Sequence, residues 1–395
     1  MNWQTIPLGE LAEFRNGINY DKSSFGQGLK VIGVADFQDY TKPHYESLEE
    51  INPEGVVREE DLLQNLDILF VRSNGNKDLI GRSMLIDSPP ESITFSGFCI
   101  RARFKNNDVI PQFYAYVFRT DIIRQTLSAY GSGTNISNLN QKILSSLEVP
   151  IPPKQTQQRI VEFISAYDDF IHNNNCRIAL LESSIQLIYK EWFVKLRFPG
   201  YEQIKIVDGI PEKWSYQPLE EVCHITMGQS PSSNFYNTLG QGLPFHQGVK
   251  DFGSRFVEHE TFCTQPNRIA EQDDILCSVR APVGRLNITL DKIIIGRGLS
   301  SIRNRRGYQS FQFYQLKSHF FQEDMIGGGT IFDSVTKKQL GQQMMLVPTD
   351  SVLQAFEKIS KPVDEQIVNL YLQNQKLREA RDQLLPQLMN GSIAV

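Results

Sequence analysis

The chain has 395 residues and 45.2 kDa, with 40% hydrophobic, 10% aromatic and 22% charged residues. That is enough for two or three domains with their own cores, and it excludes a disordered chain or a single small domain. Its 45 acidic and 40 basic side chains leave a net charge of −5, so any surface for a polyanion must be a local basic patch, or one completed by a partner.

No apolar run reaches the ~18 residues of a membrane helix, and Met1–Thr5 lacks the features of a signal peptide, so the cytoplasm is the expected location. Cys99, Cys176, Cys223, Cys263 and Cys277 are scattered, as are the six histidines. Neither a disulfide framework nor a metal site is expected from that spacing.

In chain order the dominant feature is a repeat. Trp3, Pro7, Leu8, Glu10 and Gly17 recur as Trp214, Pro218, Leu219, Glu221 and Gly228, all at an offset of 211 residues. Gly26-Gln27-Gly28-Leu29 returns as Gly240-Gln241-Gly242-Leu243, and Asp67-Ile68-Leu69 as Asp274-Ile275-Leu276. Val71-Arg72 is matched to Val279-Arg280, Gly81-Arg82 to Gly284-Arg285, and Phe113-Tyr114 to Phe313-Tyr314. Gly133-Thr134 is matched to Gly329-Thr330, and Val149-Pro150 to Val347-Pro348. Matches kept in one order imply two copies of a unit of about 190 residues.

The first part of each copy reads as α+β. In copy one, Asp67–Arg72, Met84–Asp87 and Phe98–Phe104 predict strands, and a helix is expected from Pro111 to about Ser128, behind the caps Asn107 and Asp108. In copy two, Asp274–Arg280, Leu286–Ile295 and Leu299–Arg303 predict strands, with a helix near Phe311–Gln322.

The second part of each copy predicts a long helix with an apolar seam at steps of three and four. In copy one the seam is Ile164, Tyr167, Ile171, Asn174, Ile178, Leu181, Ile185, Ile188 and Trp192. In copy two it is Ile367, Leu370, Asn374, Leu377, Arg381, Leu384 and Leu388. A helix lying on its own domain would show a similar stripe, but four continuous heptads favour helix against helix. Pro362 should kink or break the start of the second helix, and Pro386 should disturb its end. Asn174 and Asn374 either fix the register or are tolerated polar positions.

The expected architecture is therefore 1–153 as a first globular head, 154–193 as a first spacer helix, and 194–213 as a linker. A second head follows over 214–348 and a second spacer helix over 349–391. Two like units pack most simply about a pseudo-two-fold axis, which makes the helices an antiparallel coiled coil holding the heads apart. Ile164–Trp192 spans roughly 40 Å, close to the ~34–36 Å of one DNA turn that separates paired recognition modules. A rigid protein-interaction scaffold or decoy has the same geometry.

The residues also carry a resemblance. Gly131-Ser132-Gly133-Thr134, then Val149-Pro150-Ile151-Pro152-Pro153, then Gln157-Gln158-Arg159-Ile160-Val161, resemble the specificity subunit of type I restriction–modification systems, as does Ile210-Pro211-Glu212-Lys213-Trp214 before Pro218-Leu219. The resemblance covers essentially the whole chain, although Thr349-Asp350-Ser351 replaces the second Pro-rich stretch. It implies that each head is a target-recognition domain for half of a bipartite, asymmetric double-stranded DNA target, with the helices setting the gap. It also implies two methyltransferase subunits docked on the chain, restriction–translocase subunits joined through them, and methylation at adenine N6. S-adenosylmethionine, ATP and magnesium would sit in those partners, with no cofactor in this chain.

No catalytic or metal-binding constellation is legible: there is no phosphate loop, and Pro89-Pro90 and Pro152-Pro153 are followed by Glu91 and Lys154 where an amino-methyltransferase has an aromatic. Residues kept in both copies are poor specificity candidates, because the heads should read different sequences. Arg72 with Arg280, Arg82 with Arg285, and Thr134 with Thr330 are thus candidates for phosphate contact or scaffold. Asn74, Asn76 and Lys77 in head one, and Arg297, Arg303, Arg305 and Arg306 in head two, are the candidates for base readout. For each of them a solvated surface side chain is the alternative.

Overall fold

The structure, a computed structural model, is described over residues 3–20, 24–37, 42–74, 79–106, 108–130, 139–321 and 334–393. It divides into two compact units: Met1–Asn174 with Gln373–Val395, and Asn175–Leu372. Both are mixed α and β.

In the first unit, Ile68–Val71 is an Ile-Leu-Phe-Val run with all four residues buried. Alternation along the strand sends them to two different cores. Ile68 and Phe70 pack with Phe113, Val117 and Phe118 of the helical layer, Phe70 and Phe118 meeting edge to face at 4.8 Å. Leu69 and Val71 pack with Ile32, Ile93 and Phe95 of a second sheet. The four-stranded sheet is therefore a middle layer, ordered Ala12–Asn16, Cys99–Phe104, Ile68–Val71, Ser83–Leu85 and antiparallel throughout. The outer sheet is ordered Glu49–Ile51, Phe25–Ile32, Ile93–Phe95, the last two strands parallel.

The second unit repeats that layering. Cys223–Met227, Leu299–Asn304, Ile275–Ser278 and Leu286–Ile288 form a sheet in the same strand order. Ile275 and Cys277 pack toward the helical side, Leu276 toward Ile293 and Ile295. Gly17 and Gly228 occupy the same place: a Cβ would lie 2.2 Å from the Ser96 carbonyl oxygen in one and 2.1 Å from that of Gly296 in the other. Only glycine admits so close a backbone approach.

Several expectations need correcting. The run Leu286–Ile295 is two strands in different sheets, Leu286–Ile288 and Ile293–Ile295, because a turn at the buried Thr289 separates them, Thr289 Oγ1 donating to the Asp291 carbonyl at 2.6 Å. The helix from Pro111 is two helices, Pro111–Val117 and Asp121–Tyr130, since the Thr120 hydroxyl turns back onto the Val117 carbonyl at 2.7 Å. Asp350–Met389 runs as one helix through both Pro362 and Pro386, its flanking Phe356, Ser360 and Ile367 all fully buried. Strand register also shifts two of the sequence matches. Val71 pairs with Cys99 as Ser278 pairs with Leu299, so Arg72 is level with Val279, one residue before Arg280. Likewise Thr5 faces Pro150 as Tyr216 faces Leu346, which puts Val149 level with Met345.

The first long helix, Lys154–Tyr189, continues into a π-helical turn, Lys190–Val194. The linker that follows packs within the second unit, where Phe198 is buried on Trp214 with ring centroids 4.8 Å apart. In the first unit, Asp168 pairs with Arg381 and Asn174 with Asn374, so the two helical segments run in opposite directions. In the second, Arg255 bridges Glu182 and Asp364 while Tyr189 stacks near Phe356, again with opposite directions. Ile164, Ile171, Asn174, Ile185, Ile367, Leu370 and Asn374 are buried, and Ile178, Leu181, Ile188, Leu377 and Leu384 are half-buried.

Candidate nucleic-acid interface

Antiparallel register decides which loops share an edge of each four-stranded sheet. In the second unit, Ser278 faces Leu299 and Cys277 faces Leu286. The segments leaving those residues therefore emerge at one edge, and they carry Arg280, Arg285 and Arg297, all exposed. The Ser278 hydroxyl accepts from the Arg285 amide at 2.8 Å and donates to the Pro282 carbonyl at 2.6 Å, pinning the loop between them. Among the described residues, none of these three guanidinium groups has a carboxylate within ion-pair distance. Three unneutralised cations on adjacent loops make a local positive edge on a chain of negative net charge.

The same edge of the first unit carries Arg72, Asn74 and Arg82, all half-buried. Arg72 Nη1 donates to the Gly97 carbonyl at 3.3 Å. Arg82 and Arg285 are structural counterparts: their carbonyls accept from Val71 and Ser278 at 2.9 Å each, after Gly81 and Gly284 at φ +72 and +82. Leu139 donates its amide to the Arg72 carbonyl at 2.9 Å, as Val335 does to that of Val279 at 2.8 Å. Asn76, Lys77, Thr134 and Thr330 lie outside the described residues.

The remaining candidates do not join this edge. Arg303, Arg305 and Arg306 lie at the far end of the six-residue strand Leu299–Asn304, roughly 20 Å away at 3.3 Å per residue. Arg303 Nε is 2.5 Å from Asp274 Oδ1, and its Nη2 donates to the Gln272 carbonyl. Arg305 reaches His224 at 3.2 Å and the Glu220 carbonyl at 3.1 Å. Arg306 pairs with Asp350 and lies over the Tyr308 ring. In the first unit Arg103 grips Asp67 through two 2.7 Å bonds at the position matching Arg303. Arg303 thus repeats a scaffold pair of head one, and the most basic run in the sequence is engaged within its own unit. Burial lifts the Asp274 carboxyl above its ordinary value even with Arg303 beside it, so losing that arginine would strand a poorly solvated acid.

One exposed group escaped the sequence reading. Phe98, placed there inside a strand, is 62% exposed on the turn before Cys99–Phe104, at the same edge as Arg72 and Arg82. A Ser-Gly pair directly before it was the available signal.

Burial pushes the Cys223 and Cys277 thiols up to about 12, and Cys99 higher still, so they stay protonated. Among the described residues no cluster of His, Cys, Asp or Glu could hold a metal, and no helix is long and apolar enough to cross a membrane.

Comparison with known proteins settles the family. A Methanocaldococcus jannaschii protein, provisionally named the specificity subunit of the type I restriction enzyme MjaX, is 30% identical across 100% of this chain and 94% of its own length. The chain belongs to the specificity subunits of type I restriction–modification systems. The family model for the type I restriction modification DNA specificity domain matches residues 1–183. The HindI specificity subunit of Haemophilus influenzae is 22% identical over 79% of the chain and 84% of its own length. The crystal structure of the M. genitalium type I S subunit shares the fold, with a TM-score of 0.58 and 15% identity over 98% of this chain and 96% of that one. Specificity subunits are the non-catalytic, DNA-recognising members of these systems.

Proposed function

We propose that the heads over 1–153 and 214–348 each read one half of a bipartite, asymmetric duplex target. The helices over 154–193 and 349–391 form an antiparallel coiled coil that sets the gap and docks two methyltransferase subunits. Restriction–translocase subunits join through those, and S-adenosylmethionine, ATP and magnesium belong to the partners. The complex works in the cytoplasm and methylates adenine N6.

The observation that carries this reading is the matching sheet edge. In the second unit it presents Arg280, Arg285 and Arg297 unneutralised, while Arg303 and Arg306 at the opposite end are consumed by Asp274 and Asp350. Duplex DNA attracts such an edge through its phosphates, and side chains reaching past the backbone then meet base edges. The common strand order and the paired Gly17 and Gly228 support an internal duplication. The buried helical seam, with segments running oppositely in each unit, supports the coiled coil.

The net charge of −5 adds a condition: much of the phosphate neutralisation comes from the methyltransferase. A salt titration of duplex binding by filter retention tests this. The chain with its methyltransferase should bind with a steep salt dependence, and the chain alone only weakly. No salt-dependent affinity even in the complex would support a protein scaffold instead.

A further inference from the structure

The geometry points to Phe98 and Arg297 as the residues that each read one base of the target, resting on the proposed recognition function. Both sit on the turn that leads into the central strand of their sheet. Phe98 precedes Cys99, which pairs with Val71, and Arg297 lies two residues before Leu299, which pairs with Ser278. The turns are built alike: the Arg72 amide donates to the Phe98 carbonyl at 2.7 Å, as the Val279 amide does to that of Gly298 at 2.9 Å. Phe98 is thus level with Gly298, and Gly97 with Arg297.

Each turn carries one large side chain, at a different position in each head. At Gly97 a Cβ would fall 2.3 Å from Asn19 Oδ1, the movable end of an exposed side chain, and 3.1 Å from the Ile18 carbonyl oxygen, so head one carries its side chain more easily at 98 than at 97. At Gly298 a Cβ would fall 2.5 Å from the Gln247 carbonyl, so it can only be carried at 297. The backbones are pinned on both sides. In head one Gly97 donates to the Ile18 carbonyl at 2.6 Å and Phe98 to Ser96 Oγ at 3.3 Å. In head two Gly298 donates to the Gln247 carbonyl at 3.0 Å and Arg297 to Ser230 Oγ at 3.3 Å.

The outcome is one mostly exposed phenyl in head one and one exposed guanidinium in head two, on equivalent rigid turns flanked by cations. Two heads built on one scaffold but reading different sequences require this: common backbone, different tip. The chemistry names the bases. A phenyl recognises the C5 methyl of thymine, and a guanidinium recognises guanine through O6 and N7.

The test uses the complex of this chain with its methyltransferase subunit, expressed in a methylation-free host, with N6-methyladenine mapped across the genome. With the parent chain, a bipartite motif is the precondition; its absence would defeat the recognition reading itself. Given the motif, F98A should relax one thymine position in one half-site only, and R297A or R297K one guanine position in the other only. Discrimination at that position should fall roughly 10- to 100-fold. Replacing that thymine by uracil should weaken methylation by the parent and leave F98A unaffected. The inference is overturned if variants with the parent's melting temperature methylate the unaltered motif at the parent's rate, or lose activity on all sites equally.

Discussion

Asn174 Nδ2 donates a hydrogen bond to Asn374 Oδ1 at 3.0 Å, with both amides buried where the long helices meet in the first unit. A self-satisfying polar pair in an apolar seam costs stability against hydrocarbon and penalises every other alignment, since a slipped register buries each amide alone. Asn174→Ala should therefore cost about 1–3 kcal/mol in denaturant unfolding, because Asn374 loses this buried hydrogen bond. The double replacement by Ile and Leu should restore or raise stability. Equal losses in the single and double variants would show that the amides are merely tolerated.

Arg303 and Arg285 should separate cleanly. Arg303→Ala strands Asp274, which is 4% exposed, and should lower stability by about 1–3 kcal/mol while leaving target choice unchanged. Arg285→Ala removes an exposed side chain, so stability should hold, while the slope of log affinity against log salt falls by about one. A changed target motif in Arg303→Ala would contradict the assignment of that residue to the scaffold.

The second unit should weaken in mild acid. His259 lies between His246, whose fully buried ring in turn meets Asp251, and Asp291, at 2.9 and 3.1 Å respectively. Burial, with His246 adding to it, holds His259 below its ordinary value of 6.5 in spite of Asp291 and Asp251. As pH falls through 6.5 the unfolded chain takes up this proton before the folded one, so stability drops until the folded ring also protonates. Thermal melts from pH 7.5 to 5 should show a steeper decline for the parent than for His259→Gln. Parallel declines would assign the acid sensitivity elsewhere.

If the helices are the ruler, their length is the gap. Inserting one heptad into each should widen the spacing between half-sites by about 10 Å, roughly three base pairs at ~3.4 Å each. Methylated-motif mapping measures this directly, and an unchanged gap in an active complex would show that the helices do not set it.

The layered fold was legible where local pattern and tertiary role coincide. Ile68–Val71 reads as a strand because both of its faces are buried, and Gly17 recurs as Gly228 because both meet a carbonyl too closely for a Cβ. Leu286–Ile295 misled because apolarity marks a strand without marking which sheet it joins. At the interface, the run Arg303–Arg306 looked free because Asp274, His224 and Asp350, which engage it, lie 29 to 81 residues away in the chain. Phe98 was hidden for the converse reason: an aromatic beside a strand pattern reads as core, and only the turn geometry turns it outward.

Mapping N6-methyladenine in a methylation-free host that expresses this chain with its methyltransferase subunit tests the central claim most directly. A single bipartite motif with a fixed gap, absent when this chain is withheld, is the expected result. A soluble complex that produces no motif, or one contiguous motif independent of this chain, would contradict it.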